Sequence, residues 1–200
     1  MALKKATEIP TIDTSLVTIS VTKNEITTEY ALDTASKIEV EPQIEETDAV
    51  KLIVKGILRA QKPAISTITG NQITLTDNVF TPELVKVLQG GTIYYWSSDA
   101  HTEKTTQETA YGIAGYEPPV VGSSDKGEIF KLNAYSAQYD ASGQIVQYEK
   151  ITYPNCQGTP VSFGSEDDSF RAPEYTINSA PSNGQAPYSI EYVKTLPEVV

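Results

Sequence analysis

Sulfur and imidazole are nearly missing from this 200-residue chain, which has one cysteine (Cys156), one histidine (His101), one methionine and one tryptophan. A single cysteine cannot close an internal disulfide, so nothing points to an oxidising compartment. Cysteine and histidine at zinc-binding spacing are absent as well. No run of about 18 apolar residues occurs, which excludes a membrane-spanning helix. Basic charge is scarce: 15 Lys and Arg face 26 Asp and Glu, for a formal net charge of −11. Both halves of the chain are acidic, and only Arg59 and Arg171 offer guanidinium forks. That balance disfavours a nucleic-acid grip, which needs clustered Lys and Arg on phosphates. It fits solubility, or a surface that repels polyanions. The opening MALKKATEIP has lysines but no apolar stretch behind them, so it does not read as a signal peptide, and synthesis in a cytoplasm is expected.

Apolar residues make up 39% of the chain, whether Tyr or Gly is counted among them, since there are 12 of each. Ordinary globular chains run at roughly 45–50%. Thr, Ser, Asn, Gln and Tyr fill the gap. Thr and Tyr favour strands over helices, so the composition predicts a mostly β protein.

Residues 1–14 read as an extended arm, and 15–200 as a single domain. Strands are expected over 16–22 and near 26–31, with Asn24 in the turn between them. Lys37–Glu41 alternates strictly, placing Ile38 and Val40 inward and Glu39 and Glu41 outward, until Pro42 interrupts it. Residues 50–60 read as one two-faced strand with a bend at Gly56. Ile65–Thr69 and Ile73–Thr76 read as a hairpin turning at Gly70-Asn71.

One helix is predicted over Thr81–Gly90, with Thr81 as N-cap, Pro82 at N1 and Glu83 at the positive end of the dipole. Phe80 and Val85 are spaced for a hydrophobic staple, Leu84, Val85 and Leu88 form the apolar stripe, and Gly90 ends it. Thr92–Trp96 is a strand with two apolar faces. Residues 97–127 then lose periodicity and read as one long functional or mobile loop. Strands resume over 128–139 and 145–153, joined by a turn at Asp140–Gly143, with short strands near 159–163, 174–178 and 188–193.

Catalytic chemistry is not legible. Ser97, Ser98, Asp99 and His101 are four near-consecutive loop residues, a poor source of triad geometry, so His101 reads as a solvated side chain. Cys156 reads as a buried or inert thiol. Gly112-Ile113-Ala114-Gly115 follows no strand and is no phosphate cradle. The acidic clusters Glu45, Glu46, Asp48 and Glu166, Asp167, Asp168 do not match a calcium loop and read as solvated. No enzyme activity, cofactor or metal is expected.

The succession of alternating acidic strand, acidic turn, two-faced strand and "NQITLTDNVFTPELVKVLQGG", with the later "KITYPNCQGTPVSFGSEDDSFRAPEYTINSAPSNGQAPYSIEYV", resembles the major tail protein, or tail tube protein, of a long-tailed phage or phage-tail-like particle. The resemblance spans roughly residues 15–195 and implies a β-sandwich or barrel of two packed sheets with one short flanking α-helix, a long inter-ring loop and an N-terminal arm. It further implies homo-oligomeric, hexameric rings stacked into a tube of the virion tail, assembled in the bacterial host cytoplasm. Tape measure, tail terminator and baseplate proteins would be its partners, and phage DNA would pass through without specific binding; no membrane is involved. On this reading Tyr111 and Tyr116 are candidate inter-ring contacts, and Glu39 and Glu41 candidate lumen-facing acids. The competing reading is a β-sandwich decoration or receptor-binding module of a virion, which should carry a compact aromatic pocket.

Overall fold

Period-two alternation of β-branched and aromatic residues dominates the chain, and the computed structural model answers it with thirteen strands and one helix. It describes residues 10–162, 164, 167 and 172–199. The strands are β1 (Thr11–Lys23), β2 (Ile26–Leu32), β3 (Ala35–Glu46), β4 (Val50–Val54), β5 (Ile57–Lys62) and β6 (Ser66–Asp77). Helix α1 (Pro82–Gln89) follows, then β7 (Thr92–Trp96), β8 (Lys104–Thr105) and β9 (Ile113–Glu117). The chain closes with β10 (Phe130–Tyr139), β11 (Ile145–Gly158), β12 (Glu174–Ser179) and β13 (Ser189–Val193).

One antiparallel sheet runs in the order β2-β1-β10-β11-β12-β6-β3. Strand β11 is long enough to hold two neighbours in succession: Tyr148–Thr152 pairs β13, and Cys156–Gly158 pairs β12. The sheet packs on itself as a sandwich. Val17, Ile19 and Val21 of β1 and Phe130, Leu132 and Ala134 of β10 share one core with Ile73 and Leu75 of β6 and Tyr175 and Ile177 of β12. Helix α1 contributes Leu84, Val85, Val87 and Leu88 to the same core. A two-turn helix survives only through such packing.

The helix ends follow the sequence signals. Pro82 occupies N1, where its missing N–H leaves no bond unmade. Thr81 stands at the N-cap, but its hydroxyl makes no capping bond. Gly90 adopts φ 86°, and its N–H donates to the Lys86 carbonyl at 2.9 Å. Two glycines let the helix sit this close. A Cβ on Gly158 would collide with the Leu88 side chain, and one on Gly127 with the Leu88 carbonyl. At the far end of β6, the Thr34 hydroxyl donates to the buried Asp77 carboxylate at 2.6 Å, and the Asn78 N–H to the Thr34 carbonyl at 3.2 Å. These bonds fix the short link between β2 and β3.

Several expected boundaries move. Residues 11–14 belong to β1 rather than to an arm, and residues 1–9 lie outside the described residues. Pro42 does not stop β3, because β3 is an edge strand and the face without a donor needs no partner. Gly70-Asn71 is no turn: β6 is continuous through it, and Gly70 is small because a Cβ there would meet the Ser179 carbonyl. The true turn is at Lys55-Gly56 (φ 51° and 77°), which splits the expected 50–60 strand into the β4–β5 hairpin. The stretch 97–127 is not structureless, since β8 and β9 flank β7 in a three-stranded sheet. β11 runs through Pro154 to Gly158, and 159–162 is not a strand.

Leu88→Ala should lower unfolding free energy by about 2–5 kcal/mol, the range for truncating a buried leucine. Gly158→Ala should also destabilise, although it removes no contact, because its methyl must displace Leu88. Urea denaturation measures both, and an unchanged midpoint for Gly158→Ala would contradict this packing.

Candidate assembly surface

Every residue from 41 to 69 is exposed. The outer halves of β3 and β6 form a two-stranded ribbon, with Ile44 opposite Ile68 and Glu46 opposite Ser66, and the β4–β5 hairpin extends it. At the junction the Thr47 N–H donates to the Ile65 carbonyl at 3.0 Å. Paired residues share a face, so Val50–Lys62, Leu52–Ala60 and Val54–Ile57 lie on one side of the hairpin, and Lys51–Gln61 and Ile53–Leu58 on the other. Arg59 sits at a break in the register. Val50, Leu52, Ile53, Ile57 and Leu58 are 64%, 55%, 59%, 56% and 52% exposed. A lone hairpin is marginal in water, and a contiguous aliphatic surface of this kind marks a contact site.

The hairpin also differs from the rest of the chain in charge. Residues 50–62 hold Lys51, Lys55, Arg59 and Lys62 and no carboxylate, a net +4; removing that from −11 leaves −15 on all other residues. None of the four cations forms an ion pair among the described residues. This arm is hidden in the sequence because a single Gly56 inside an apolar run reads as a bend in one strand. A local charge count, and the suitability of Lys-Gly for a positive-φ turn, were the available signals.

Among the described residues β2 and β3 end the main sheet, and neither has a strand on its outer edge. Beside β2 lies a groove of about 660 Å³, floored by Ile26, Tyr30, Val87, Ile93 and Tyr95. Glu83 and Glu108 line it without an ion-pair partner among the described residues, whereas Lys23 is held by Glu128 at 2.8 Å. Lys86, Lys126 and Asp125 complete its rim, and Asp125 accepts the Gly91 N–H at 3.0 Å. Burial first, and then the carboxylates of Glu83 and Glu108, raise the Tyr30 and Tyr95 hydroxyls above their ordinary pKa.

The residues singled out from sequence are dispersed. Glu39 and Glu41 project outward from the edge strand β3, opposite half-buried Ile38 and Val40, and Glu39 meets Lys37 at 2.8 Å. Tyr111 is exposed. Tyr116 is held within the subunit: Gln89 Nε2 donates to its hydroxyl at 2.8 Å, and that hydroxyl donates to the Gly90 carbonyl at 2.7 Å. His101 stacks on Trp96 with ring centroids 5.2 Å apart, and its chain neighbours assemble no triad bond. Glu45, Glu46 and Asp48 are exposed; of the second acidic cluster Glu166 and Asp168 lie outside the described residues. No His, Cys, Asp and Glu group among the described residues could hold a metal ion, and no helix there is long and apolar enough to cross a membrane.

No family model matches this chain, and no curated protein does. Among solved structures, a chain in the cryo-EM structure of the anti-feeding prophage (AFP) baseplate, 6-fold symmetrised, aligns over 97% of this chain and 98% of its own. Identity is 7% and the TM-score 0.33, too loose a superposition to define a common fold.

Behind this surface three hydroxyl and thiol groups are buried in the core. Burial pushes the Cys156 thiol and the Tyr153 and Tyr175 hydroxyls each up to about 12. In the unfolded chain the thiol titrates near 9 and the hydroxyls near 10. Unfolding therefore releases protons above those values, and stability should be full below about pH 9 and fall progressively toward pH 12. Urea midpoints measured across that window should decline; a flat profile would contradict the burial of all three groups.

Proposed function

We propose that this chain is a structural subunit that polymerises, as stacked six-membered rings, into the tube of a phage-tail-like particle. The observation that carries the reading is the exposed aliphatic arm 41–69, a surface that none of the described residues covers. The free edges of β2 and β3 add to it, because exposed edges are templates for pairing with another chain. The two edges differ, so their contact would be head-to-tail, the kind that closes into rings or extends into filaments. The resemblance of 15–195 to tail tube proteins supplies the particular architecture.

On this reading the particle's tail is where the protein resides, after assembly in the host cytoplasm. Its partners are further copies of itself, then the tape measure, terminator and baseplate proteins, with DNA passing through unbound. Glu39 and Glu41 face the lumen, where carboxylates would keep phosphate from sticking. Tyr111 meets the next ring, and Tyr116 sets the position of that segment against Gly90. The subunit performs no reaction and needs no cofactor.

Purified protein at high concentration should form hollow tubes of fixed width under negative-stain electron microscopy. A monomer or trimer at every concentration would contradict the proposal and favour a decoration or receptor-binding module.

A further inference from the structure

Two features of the molecule are complementary and do not meet within one chain. The hairpin offers a basic, aliphatic surface: Val50, Leu52, Val54 and Ile57 on one face, with Lys62 on that face beside Val50, Arg59 at the register break and Lys55 in the turn. The groove beside β2 carries Ile26, Ile93, Tyr30 and Tyr95 with four carboxylates, Glu83, Glu108, Asp125 and Glu128, against three cations, Lys23, Lys86 and Lys126, and Glu83 and Glu108 have no ion-pair partners among the described residues.

We propose that the β4–β5 hairpin of one copy seats in the β2–α1 groove of a second copy, its aliphatic face on Ile26, Tyr30 and Tyr95 and its cations on Glu83 and Glu108. This rests on the reading of the chain as a self-assembling subunit and names the two surfaces that join.

The choice of occupant follows from charge. An arm of +4 on a chain otherwise at −15 is attracted to any other copy's body and repelled by another arm, which sets a head-to-tail polarity. The choice of site follows from what is already neutralised. Lys23 is occupied by Glu128, and Glu83 and Glu108 have no ion-pair partner among the described residues, nor do Lys86 and Lys126 at the rim. The unpaired edge of β2 lies along the same groove, so an incoming strand could also continue the sheet. Withdrawing water from these cations and carboxylates together strengthens each pairing.

The test uses the full chain in sedimentation velocity, with electron microscopy of the same samples. Three samples are compared: the arm variant Arg59→Glu/Lys62→Glu, the groove variant Glu83→Lys/Glu108→Lys, and their equimolar mixture. Circular dichroism checks that each is folded, and the neutral pairs Arg59→Gln/Lys62→Gln and Glu83→Gln/Glu108→Gln serve as milder versions. The unaltered protein should associate, and less so as salt is raised. Each reversed variant alone should associate at least about tenfold more weakly, the scale of losing a close charge pair at an interface. The mixture should recover association, because reversed arm meets reversed groove and native arm meets native groove. If both variants assemble normally, or if both fail and the mixture does not recover, the seat is wrong while the subunit reading stands. If the unaltered protein stays monomeric throughout, both are wrong. Binding of the arm to phosphatidylglycerol vesicles in place of self-association would also overturn the proposal.

Discussion

The body of this protein depends on the burial of one face of α1. Leu84, Val85, Val87 and Leu88 enter the core shared with β1, β10, β6 and β12, the helix lying against β11 and β7. The fit is set as much by what is missing as by what is present. Gly158 and Gly127 have no side chain where the helix must pass, and the Glu128 N–H donates to the Val87 carbonyl at 2.8 Å to hold the following strand in place. Asp77, fully buried and bonded to Thr34, ties the link between the two sheet ends to the same region. Local helix signals and long-range packing agree here, which makes for a single well-defined core.

Because that core closes on itself, it makes no demand on the chain between 41 and 69. Those residues form an ordered ribbon with aliphatic side chains in water, a condition that stability of the subunit does not explain. A surface that the fold does not need, and that water disfavours, is best explained by a partner. The segregation of charge strengthens the argument. Had the four cations of 50–62 been scattered over an acidic surface, they would have paired with local carboxylates; gathered on one hairpin, they remain unpaired.

Much of the fold was legible in the sequence, and the failures have physical causes. The helix was readable because cap, proline, apolar stripe and glycine all agreed over ten residues. The alternation at Lys37–Glu41 correctly placed Ile38 and Val40 inward. Glycine caused the errors, because its two uses look alike in sequence. At Gly70 it permits close approach to Ser179, whereas at Gly56 it supplies a positive φ; the sequence suggests a turn at Gly70-Asn71 and only a bend at Gly56. Pro42 misled because a proline stops a central strand but not an edge, and edge position is a tertiary property. In 97–127 the strands β8 and β9 are short and paired only with β7, so little periodicity betrays them. The surface residues proved harder: Tyr116 was picked for its residue type, and only the bonds to Gln89 and Gly90 show that it is held within the subunit.

The central claim, that the arm is a contact between copies, is tested most directly by amide hydrogen exchange of residues 50–62 in dilute and in concentrated protein. In the dilute subunit a two-stranded hairpin with no neighbour should exchange rapidly while β1, β10 and β6 stay protected. On assembly the account predicts that the hairpin amides become protected along with those of Ile26–Leu32. Unchanged rapid exchange of 50–62 in assembled particles would contradict it.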